Sequence, residues 1–353
     1  MLATGGAERC SAVLSNFFVK NNCNVHHVIV QDCVEYQYSG ALLNLGKLKK
    51  SDVFNVLDRL HRLKVLYKFF RKNKFDFIID TRVKRKQFQE FFIVKYIFNA
   101  PLIVVIHSFM TDIYFPKSIL LGNKIYVNAF KIISVSKAIN QKVAKKYIYR
   151  NIQTIYNPID FEYIDKQKKE ILNIDYPYIM AVGSMNESVK QFDVLMNCYT
   201  NSDLPKNNIK LLILGDGKLL EEYKLLAKKL NQSENIIFKG KIQNPFPYYK
   251  NAIVTVLTSK NEGFPTVLLE SLACETPIVS FNCESGPNEI LINHHNGILV
   301  ENQNKNQLID AINEMVSNKN LYLQCKKNAR SSVEQFSIIK IGAKWLELFN
   351  EKK

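Results

Sequence analysis

One stretch of the chain constrains its fold more than any other, because it repeats the order strand, polar turn, helix. Ala252–Ser259 is an apolar, β-branched run that predicts a buried strand. Lys260–Pro265 is a turn, and Thr266–Ala273 predicts a helix. Pro277–Phe281 predicts the next strand, and Asn282–Gly286 predicts the next polar loop. This order predicts a parallel α/β sheet, in which ligands bind beyond the carboxyl ends of the strands.

The first of these turns is flanked by two carboxylates. Glu262 lies in the loop, and Glu270 lies in the helix, roughly 6 Å along the axis from Thr266. Helical side chains lean toward the N-terminus, so we expect the Glu270 carboxylate near the helix start. That start offers backbone N–H groups from Gly263 to Val267 and a positive dipole, which suit a phosphate. These features predict a nucleotide-sugar site, although a charged turn before a core helix has the same pattern.

A wider motif surrounds the two glutamates. It consists of Glu262-Gly263-Phe264-Pro265, Glu270 after seven intervening residues, Pro277, and Ser285-Gly286-Pro287-Asn288-Glu289. The motif resembles that of the retaining glycosyltransferases of family four, which have the GT-B fold of two Rossmann-like domains facing a cleft. The resemblance implies that Glu262 contacts the donor sugar and acts in catalysis, and that Glu270 holds the ribose hydroxyls. It further implies that the backbone of Gly263, Phe264, Pro265, Thr266 and Val267 binds the donor diphosphate.

The length of 353 residues, 47% of them apolar, predicts two domains. Asn157-Pro158 is a turn signal, and the resembled family crosses to its second domain at a similar segment. We therefore expect an acceptor-binding domain at residues 1–158, joined by a C-terminal helix at 337–353. We expect the donor-binding domain at residues 159–336.

Several sequence features bear on the location of the protein. No segment has the pattern of a secretory signal. The most apolar stretch, Phe91–Met110, is interrupted by Lys95 and Pro101, which argues against a membrane span. The seven cysteines are scattered and lack C-x-x-C spacing, which favours a reducing compartment. We expect a cytoplasmic protein.

The net positive charge of the chain, +16, comes entirely from its first half. Residues 1–158 hold 25 Lys and Arg against 9 Asp and Glu, whereas the remainder holds 23 of each. Such asymmetry indicates an anionic membrane, a nucleic acid or a phosphorylated substrate as partner, or merely a lysine-rich soluble surface. The basic amphipathic run Val53–Asn73 fits a membrane-surface helix and fits an ordinary crossover helix equally well.

The N-terminal segment contains Gly5-Gly6-Ala7-Glu8-Arg9, a glycine pair before an apolar helix. In the resembled family this segment follows the first strand and faces the donor, which makes Gly5 and Gly6 donor-binding candidates. Only Met1–Thr4 precede the pair, too few residues for the usual strand, which is central in doubly wound sheets. We expect either a true start upstream of Met1, which we favour, or a domain that has lost its middle strand.

Two further candidates follow predicted strands of the first half. The run after Phe75–Asp80 contains four basic residues, and it predicts either an acceptor-phosphate site or a solvated charge run. These residues are Arg82, Lys84, Arg85 and Lys86. His107 ends the predicted strand Leu102–Ile106. The resembled family commonly has a histidine there, near the reacting sugar, so we expect a catalytic role for His107.

In the second half, the predicted strand Tyr178–Val182 is followed by Gly183, Ser184 and Lys190. The resembled family usually has an arginine where Ser184 stands and a lysine at the position of Lys190, and both hold the diphosphate. One of the two phosphate contacts is therefore lost. Ile242 follows a further strand, where the family places the nucleotide base.

The motifs and the resemblance together predict a metal-independent glycosyltransferase that uses a nucleotide sugar, UDP-linked, as its co-substrate and needs no other cofactor. The resemblance implies that the reaction retains the anomeric configuration. The chain contains no D-x-D, the motif that would hold Mg²⁺ on the diphosphate. We expect transfer of a hexosyl or N-acetylhexosaminyl group to a lipid-linked or lipopolysaccharide-type saccharide. The basic first domain predicts peripheral docking on the inner face of the cytoplasmic membrane.

Two other functions stay open at this level. The chain could be an anionic-polymer or nucleic-acid binding protein with an inactive transferase-like domain, although nucleic acid is the less favoured partner. Alternatively, it could be a GT-B epimerase that alters the sugar nucleotide itself and needs no acceptor. Steeply salt-dependent nucleic-acid binding without transfer would indicate the first, and release of an altered donor would indicate the second.

Overall fold

The computed structural model describes residues 2–3, 5–49, 56–84, 87–116, 118–149 and 151–351. The chain divides into two compact units. Unit 1 comprises Met1–Pro158 and Ile338–Lys353, and unit 2 comprises Ile159–Ser337. The first division follows Asn157-Pro158, the pair that the sequence marks as a turn.

Unit 1 has its described strands in two separate parallel sheets. The strands are β1 (His26–Ile29), β2 (Ala41–Asn44), β3 (Ile78–Asp80), β4 (Leu102–Ile106), β5 (Lys131–Ser134) and β6 (Ile152–Thr154). The helices are α1 (Gly6–Lys20), α2 (Val56–Lys72), α3 (Gln87–Phe92), which continues into a π-helical turn (Ile93–Ile97), α4 (Ile119–Tyr126) and α5 (Lys137–Lys146). β1 pairs with β2, and β3, β4, β5 and β6 form the other sheet in that order. Within the described ranges, no strand lies between β1 and β3.

Unit 2 is built on one parallel sheet with the order β12-β11-β10-β7-β8-β9. Its strands are β7 (Tyr178–Val182), β8 (Lys210–Leu214), β9 (Ile236–Gly240), β10 (Thr255–Leu257), β11 (Ile278–Phe281) and β12 (Gly297–Val300). Its helices are α6 (Phe161–Gln167), α7 (Phe192–Thr200), α8 (Leu220–Lys229), α9 (Phe246–Asn251), α10 (Thr266–Ala273), α11 (Pro287–Ile290), α12 (Lys305–Ser317) and α13 (Lys319–Ser332). The two central strands, β7 and β10, consist of apolar residues apart from Thr255, as strands covered on both faces require.

The last helix, α14 (Ile338–Asn350), returns to unit 1 and packs against α1. The rings of Phe18 and Trp345 lie 6.3 Å apart in an edge-to-face arrangement. Gly342 faces Phe17 so closely that a Cβ would lie 2.3 Å from the ring. None of the helices in the described ranges combines the length and apolarity needed to span a bilayer.

One predicted strand differs from the observed strand, because a polar side chain ends it. The predicted strand Ala252–Ser259 is ordered as a ladder only at Thr255–Leu257, because Thr258 turns to bond backbone carbonyls of another loop. Helices α12 and α13 are separated at Asn318, whose side chain accepts a hydrogen bond from Leu321 N and caps α13. The short strand β2 carries no clear sequence signal.

Candidate functional site

The strand order of unit 2 creates one point at which the crossovers diverge. β7 comes first in the chain of this unit but lies between β10 and β8. In open parallel sheets, ligands bind outside the carboxyl ends of the strands at such a point. The segments that follow β7 and β10 begin at Gly183 and Thr258. The loops that carry Lys190 and Glu262 therefore lie at the position where this sheet is expected to bind a ligand.

The loop after β7 is held tightly against the loop after β8. Gly215 has a φ of 145°, and a Cβ there would lie 1.8 Å from the carbonyl oxygen of Gly183. The backbone N–H of Met185 donates to the carbonyl of Asp216 over 2.9 Å. Only glycine permits this approach at position 215. The Gly183–Met185 backbone is fixed as a result.

Lys190 forms an ion pair with Glu262. Its Nζ lies 2.6 Å from Glu262 Oε1, and 20% and 11% of the two side chains are exposed. The aliphatic part of Lys190 passes over Gly183, where an added Cβ would lie 3.1 Å from Lys190 Cγ. Partial burial lowers the local dielectric and strengthens such a pair. The site thus holds a cation and a carboxylate within hydrogen-bond distance.

Thr258 anchors the segment that carries Lys190. Its hydroxyl lies 2.9 Å from the carbonyl oxygen of Lys190 and 3.1 Å from that of Gln191, and it donates to them. The N–H of Lys260 donates to the carbonyl of Val189 over 2.9 Å. The loop after β10 therefore sets the position of the lysine that follows β7.

Helix α10 presents its N-terminus at the same place. It begins at Thr266, and its N-cap residue Pro265 provides no side-chain cap. The first N–H groups of a helix have no acceptor within the helix itself. Thr266 and Val267 are half-buried, whereas Gly263, Phe264 and Pro265 are buried. With its positive dipole end, this terminus suits a phosphate group.

The loop after β11 supports the Glu262–Pro265 segment. Ser285 Oγ donates to the carbonyl of Gly263 over 2.6 Å, and the N–H of Glu262 donates to the carbonyl of Glu284 over 3.2 Å. Gly286 has a φ of 101°, and a Cβ there would lie 2.4 Å from Pro265 Cδ. These contacts fix the path by which the Glu262–Pro265 segment enters α10.

Glu270 is a buried carboxylate on α10, with 5% of the residue exposed. The hydroxyl of Tyr249, on α9, donates to Glu270 Oε2 over 3.3 Å. A buried carboxylate requires hydrogen-bond partners to offset its lost hydration. Tyr249 thereby helps to hold the carboxylate in one orientation.

The remaining predicted donor residues of unit 2 lie around this core. Phe264 is buried edge-to-face against Phe336, with the ring centroids 5.1 Å apart, so its side chain anchors the loop. Ile242 is half-buried in the loop after β9. Ser184 is exposed and accepts a hydrogen bond from Asn186 Nδ2 over 3.1 Å. Its short side chain leaves Lys190 as the cation of this loop nearest to Gly183.

Three residues of this site were missed by sequence reasoning: Thr258, Tyr249 and Ser285. Each acts by a hydrogen bond to a residue distant in the sequence, and such contacts leave no periodic pattern. A weak signal existed for Thr258, a hydroxyl residue near the carboxyl end of the predicted strand Ala252–Ser259. Ser285 lies within the quoted Ser285-Gly286-Pro287 motif, but nothing in that motif indicates its contact with Gly263.

In unit 1, Arg82 and Lys84 belong to a buried ion cluster after β3. Arg82 Nε lies 2.8 Å from Asp80 Oδ1, and Arg82 Nη2 lies 3.1 Å from Glu90 Oε1. Lys84 Nζ lies 3.6 Å from Asp80 Oδ2. Burial by itself raises the pKa of Asp80, but the charges of Arg82 and Lys84 hold it well below its usual range. Two of the four predicted acceptor residues thus have their charges balanced internally.

Arg85 and Lys86, the other two predicted acceptor residues, lie outside the described residues. Gly5 is the N-cap of α1, in an extended conformation, and Gly6 is its first residue. His107 follows β4 and lines a cavity of about 1720 Å³ within unit 1. Burial lowers the pKa of His107 to about 4, and the Asn157 side chain opposes this shift. The imidazole is therefore neutral at physiological pH and suited to hydrogen bonding.

Comparison with known proteins shows what the chain is similar to. Residues 163–332 match the family model described as Glycosyl transferases group 1. The chain is 27% identical to an N-acetylgalactosamine-N,N'-diacetylbacillosaminyl-diphospho-undecaprenol 4-alpha-N-acetylgalactosaminyltransferase of Campylobacter jejuni. That alignment covers 97% of this chain and 95% of the relative.

Solved structures show the same fold. A glycosyltransferase from Rickettsia africae superposes with a TM-score of 0.78 at 18% identity, covering 98% of this chain and 95% of that one. A Staphylococcus aureus TarM mutant in complex with fondaparinux, alpha-GlcNAc-glycerol and UDP superposes with a TM-score of 0.67 at 23% identity. That match covers 82% of this chain but only 59% of TarM. The expected fold is confirmed: the chain has the GT-B fold, and the part of unit 2 from residue 163 to residue 332 is similar to the group 1 glycosyl transferases.

Proposed function

We propose that this glycosyltransferase moves a hexosyl or N-acetylhexosaminyl group from a UDP-linked sugar to a lipid-linked or lipopolysaccharide-type saccharide. The observation that carries the proposal is the arrangement at the point where β7 and β10 diverge. There, Lys190 pairs with Glu262, and the loop that carries Glu262 leads into the N-terminus of α10, where Pro265 provides no side-chain cap. The UDP in the TarM complex and the undecaprenol-linked acceptor named for the Campylobacter relative support the donor and acceptor classes.

In this proposal each residue of the site has a separate task. The N-terminus of α10 and Lys190 bind the diphosphate and stabilise the charge that develops on it as the sugar departs. Glu262 orients the sugar and stabilises the positive charge at the anomeric carbon. Glu270, held by Tyr249, accepts hydrogen bonds from the ribose hydroxyls. A helix terminus and a lysine supply the positive charge at the diphosphate, and we propose a metal-independent reaction that retains the anomeric configuration.

A transfer assay tests this function. Radiolabelled UDP-hexoses and UDP-N-acetylhexosamines are incubated with the protein and a bacterial lipid extract that contains undecaprenyl-diphosphate saccharides. We expect label in the organic phase that is bound to an acid-labile lipid diphosphate, and equal transfer in the presence of EDTA. Label that stays in the aqueous phase with every donor would contradict the proposal. Conversion of the nucleotide sugar to an epimer would favour the epimerase instead.

We also propose that unit 1 docks on the anionic inner face of the cytoplasmic membrane. The contact is an aromatic stripe formed by Phe88, Phe92 and Tyr96. Phe88 is 87% exposed, and the spacing of four places all three residues on one side of α3 and its π-helical extension. The rings of Phe92 and Tyr96 lie 5.3 Å apart. Lys95 is exposed beside them.

Two other helices of unit 1 also carry exposed apolar side chains. Leu57 on α2 is 74% exposed, and Leu120 on α4 is 82% exposed. Large contiguous apolar patches are rare on soluble monomers and mark interaction sites. Aromatic rings flanked by lysine are typical of segments that lie in the membrane interface. The basic excess of residues 1–158 adds long-range attraction to anionic lipid.

The triple variant Phe88→Ser, Phe92→Ser, Tyr96→Ser should sediment less with vesicles of phosphatidylglycerol and phosphatidylethanolamine, by about tenfold or more in partition coefficient. Because these side chains are exposed, the melting temperature should stay close to that of the wild type. The matched control replaces Ile171 and Leu225, exposed apolar residues of unit 2, with serine. Equal sedimentation of the triple variant and the control would show that the stripe does not contact lipid.

A further inference from the structure

The backbone directly after Lys190 has a left-handed conformation. Gln191 joins the 3₁₀ turn Ser188–Lys190 to α7, with a φ of 50° and a ψ of 47°. A residue with a Cβ adopts this conformation only at a cost in energy, so contacts around Gln191 must hold it there. Rotation about the backbone of Gln191 would swing Lys190 relative to α7. The position of the lysine therefore depends on the contacts that hold Gln191.

The side chain of Gln191 is held by Gln303, a residue 112 positions later in the chain. Gln191 Nε2 donates to Gln303 Oε1 over 3.0 Å, and Gln303 Nε2 donates to Gln191 Oε1 over 2.8 Å. Gln191 is 6% exposed, and a buried amide needs such partners to offset its lost hydration. These two reciprocal hydrogen bonds, which we call the amide pair, satisfy a donor and an acceptor of each glutamine.

The amide pair joins the starts of two neighbouring helices. Gln191 is the N-cap of α7, and Gln303 directly precedes Asn304, the N-cap of α12. Helix α12 packs against α7. The segment that contains Lys190 is therefore anchored from two sides. Thr258, after β10, holds its backbone carbonyls, and Gln303, after β12, holds the side chain of Gln191.

We propose that Gln191 and Gln303 are positioning residues for the donor diphosphate, and that they act through Lys190. This inference rests on the proposed function, in which Lys190 binds the diphosphate. Lys190 is the sole cation between Gly183 and Gln191, so the charge that this loop offers depends on the placement of one side chain. A lysine that is already held in place loses less conformational freedom when it binds a phosphate.

The Gln303→Met variant tests the proposal, because methionine keeps the length of the side chain and lacks the amide. We expect UDP affinity to fall by about three- to tenfold, and uridine affinity to stay within about twofold of the wild type. The matched control is Gln324→Met, which removes an amide that donates to the carbonyl of His294, before β12 begins. The control should leave both affinities unchanged. Equal UDP affinities of Gln303→Met and the wild type would overturn the proposal.

A double variant separates positioning of the lysine from a general effect on the loop. In the Lys190→Gln background, Gln303→Met should cause no further loss of UDP affinity, because the lysine through which it acts is absent. Calorimetric titration of UDP measures this. The same loss in both backgrounds would show that Gln303 supports the site by another route, and would overturn the proposal.

Chemical labelling of the free protein tests the same proposal without a nucleotide. Lys190 is 20% exposed and paired with Glu262, so it should react slowly with acetic anhydride. In Gln303→Met we expect it to react at least about threefold faster, relative to Lys224, because a loosened loop exposes the ammonium more often. An unchanged rate would overturn the proposal. If UDP does not bind to the wild type, the proposed function fails, and the labelling rates still decide whether the amide pair fixes Lys190.

Discussion

The Glu262→Gln variant should lose about 100- to 1000-fold in kcat for sugar transfer, with little change in nucleotide binding. Glutamine keeps the shape of the side chain, and its carbonyl can still accept a hydrogen bond from Lys190. It removes the negative charge that we place beside the anomeric carbon in the transition state. An interaction made only in the transition state affects kcat rather than the affinity for the ground state. Steady-state kinetics with the accepted UDP-sugar measures both quantities.

Glu284→Gln is the matched control for this variant. Glu284 is an exposed carboxylate in the loop after β11, and its backbone carbonyl accepts a hydrogen bond from Glu262 N–H. Its side chain is not required by the proposed chemistry, so kcat should stay within about twofold of the wild type. An equal loss in both variants would indicate a general effect of charge on the loops. Full activity of Glu262→Gln would remove Glu262 from the reaction.

The Lys190→Gln variant should weaken UDP binding by about 10- to 100-fold, the usual range for loss of a charged hydrogen bond. In the structure the Lys190 ammonium bonds Glu262, at 2.6 Å, and a diphosphate would draw it from that carboxylate. The same variant should bind uridine almost as the wild type does, because uridine carries no phosphate. Calorimetric titration of UDP and uridine gives the two affinities separately.

Lys224→Gln controls for the loss of a lysine. Lys224 lies on α8, is exposed, and pairs with Glu221 one helical turn away. Its removal should leave UDP affinity unchanged, because exposed pairs of this type contribute little. If Lys190→Gln weakens UDP and uridine equally, Lys190 acts on the fold of the loop and not on the diphosphate.

Much of the architecture of unit 2 was predictable, because its elements carry local signals. The helix Thr266–Ala273 was predicted with its observed bounds, since Pro265 precedes it and the apolar pattern ends beside a turn. Strand Tyr178–Val182 was likewise predicted in full, as a continuous apolar run. The strand before Thr258 was predicted too long, because its end depends on hydrogen bonds to Lys190 and Gln191.

The candidate site was predictable only in part. The motif around Glu262 and Glu270 indicated the donor site, and the strand order then gave its location in the sheet. The pairing of Lys190 with Glu262 joins residues far apart in the sequence, so no spacing rule could show it. The charge count of the first half also did not show that Asp80 forms ion pairs with Arg82 and Lys84. Asp80 therefore neutralises part of the basic run that follows it.

Binding of a nucleotide sugar by unit 2 is the central prediction, and melting temperatures measured with a series of nucleotide sugars test it. UDP-, GDP-, ADP- and CMP-linked sugars are added to the wild type and to Glu270→Gln. At about 100 times its Kd, a ligand of the native state stabilises it by about 2.7 kcal/mol, which is a shift of several degrees. We predict that the UDP-linked class alone raises the melting temperature of the wild type, and that Glu270→Gln loses most of the shift. No shift with any nucleotide class, or an equal shift in the variant, would contradict the donor site described above.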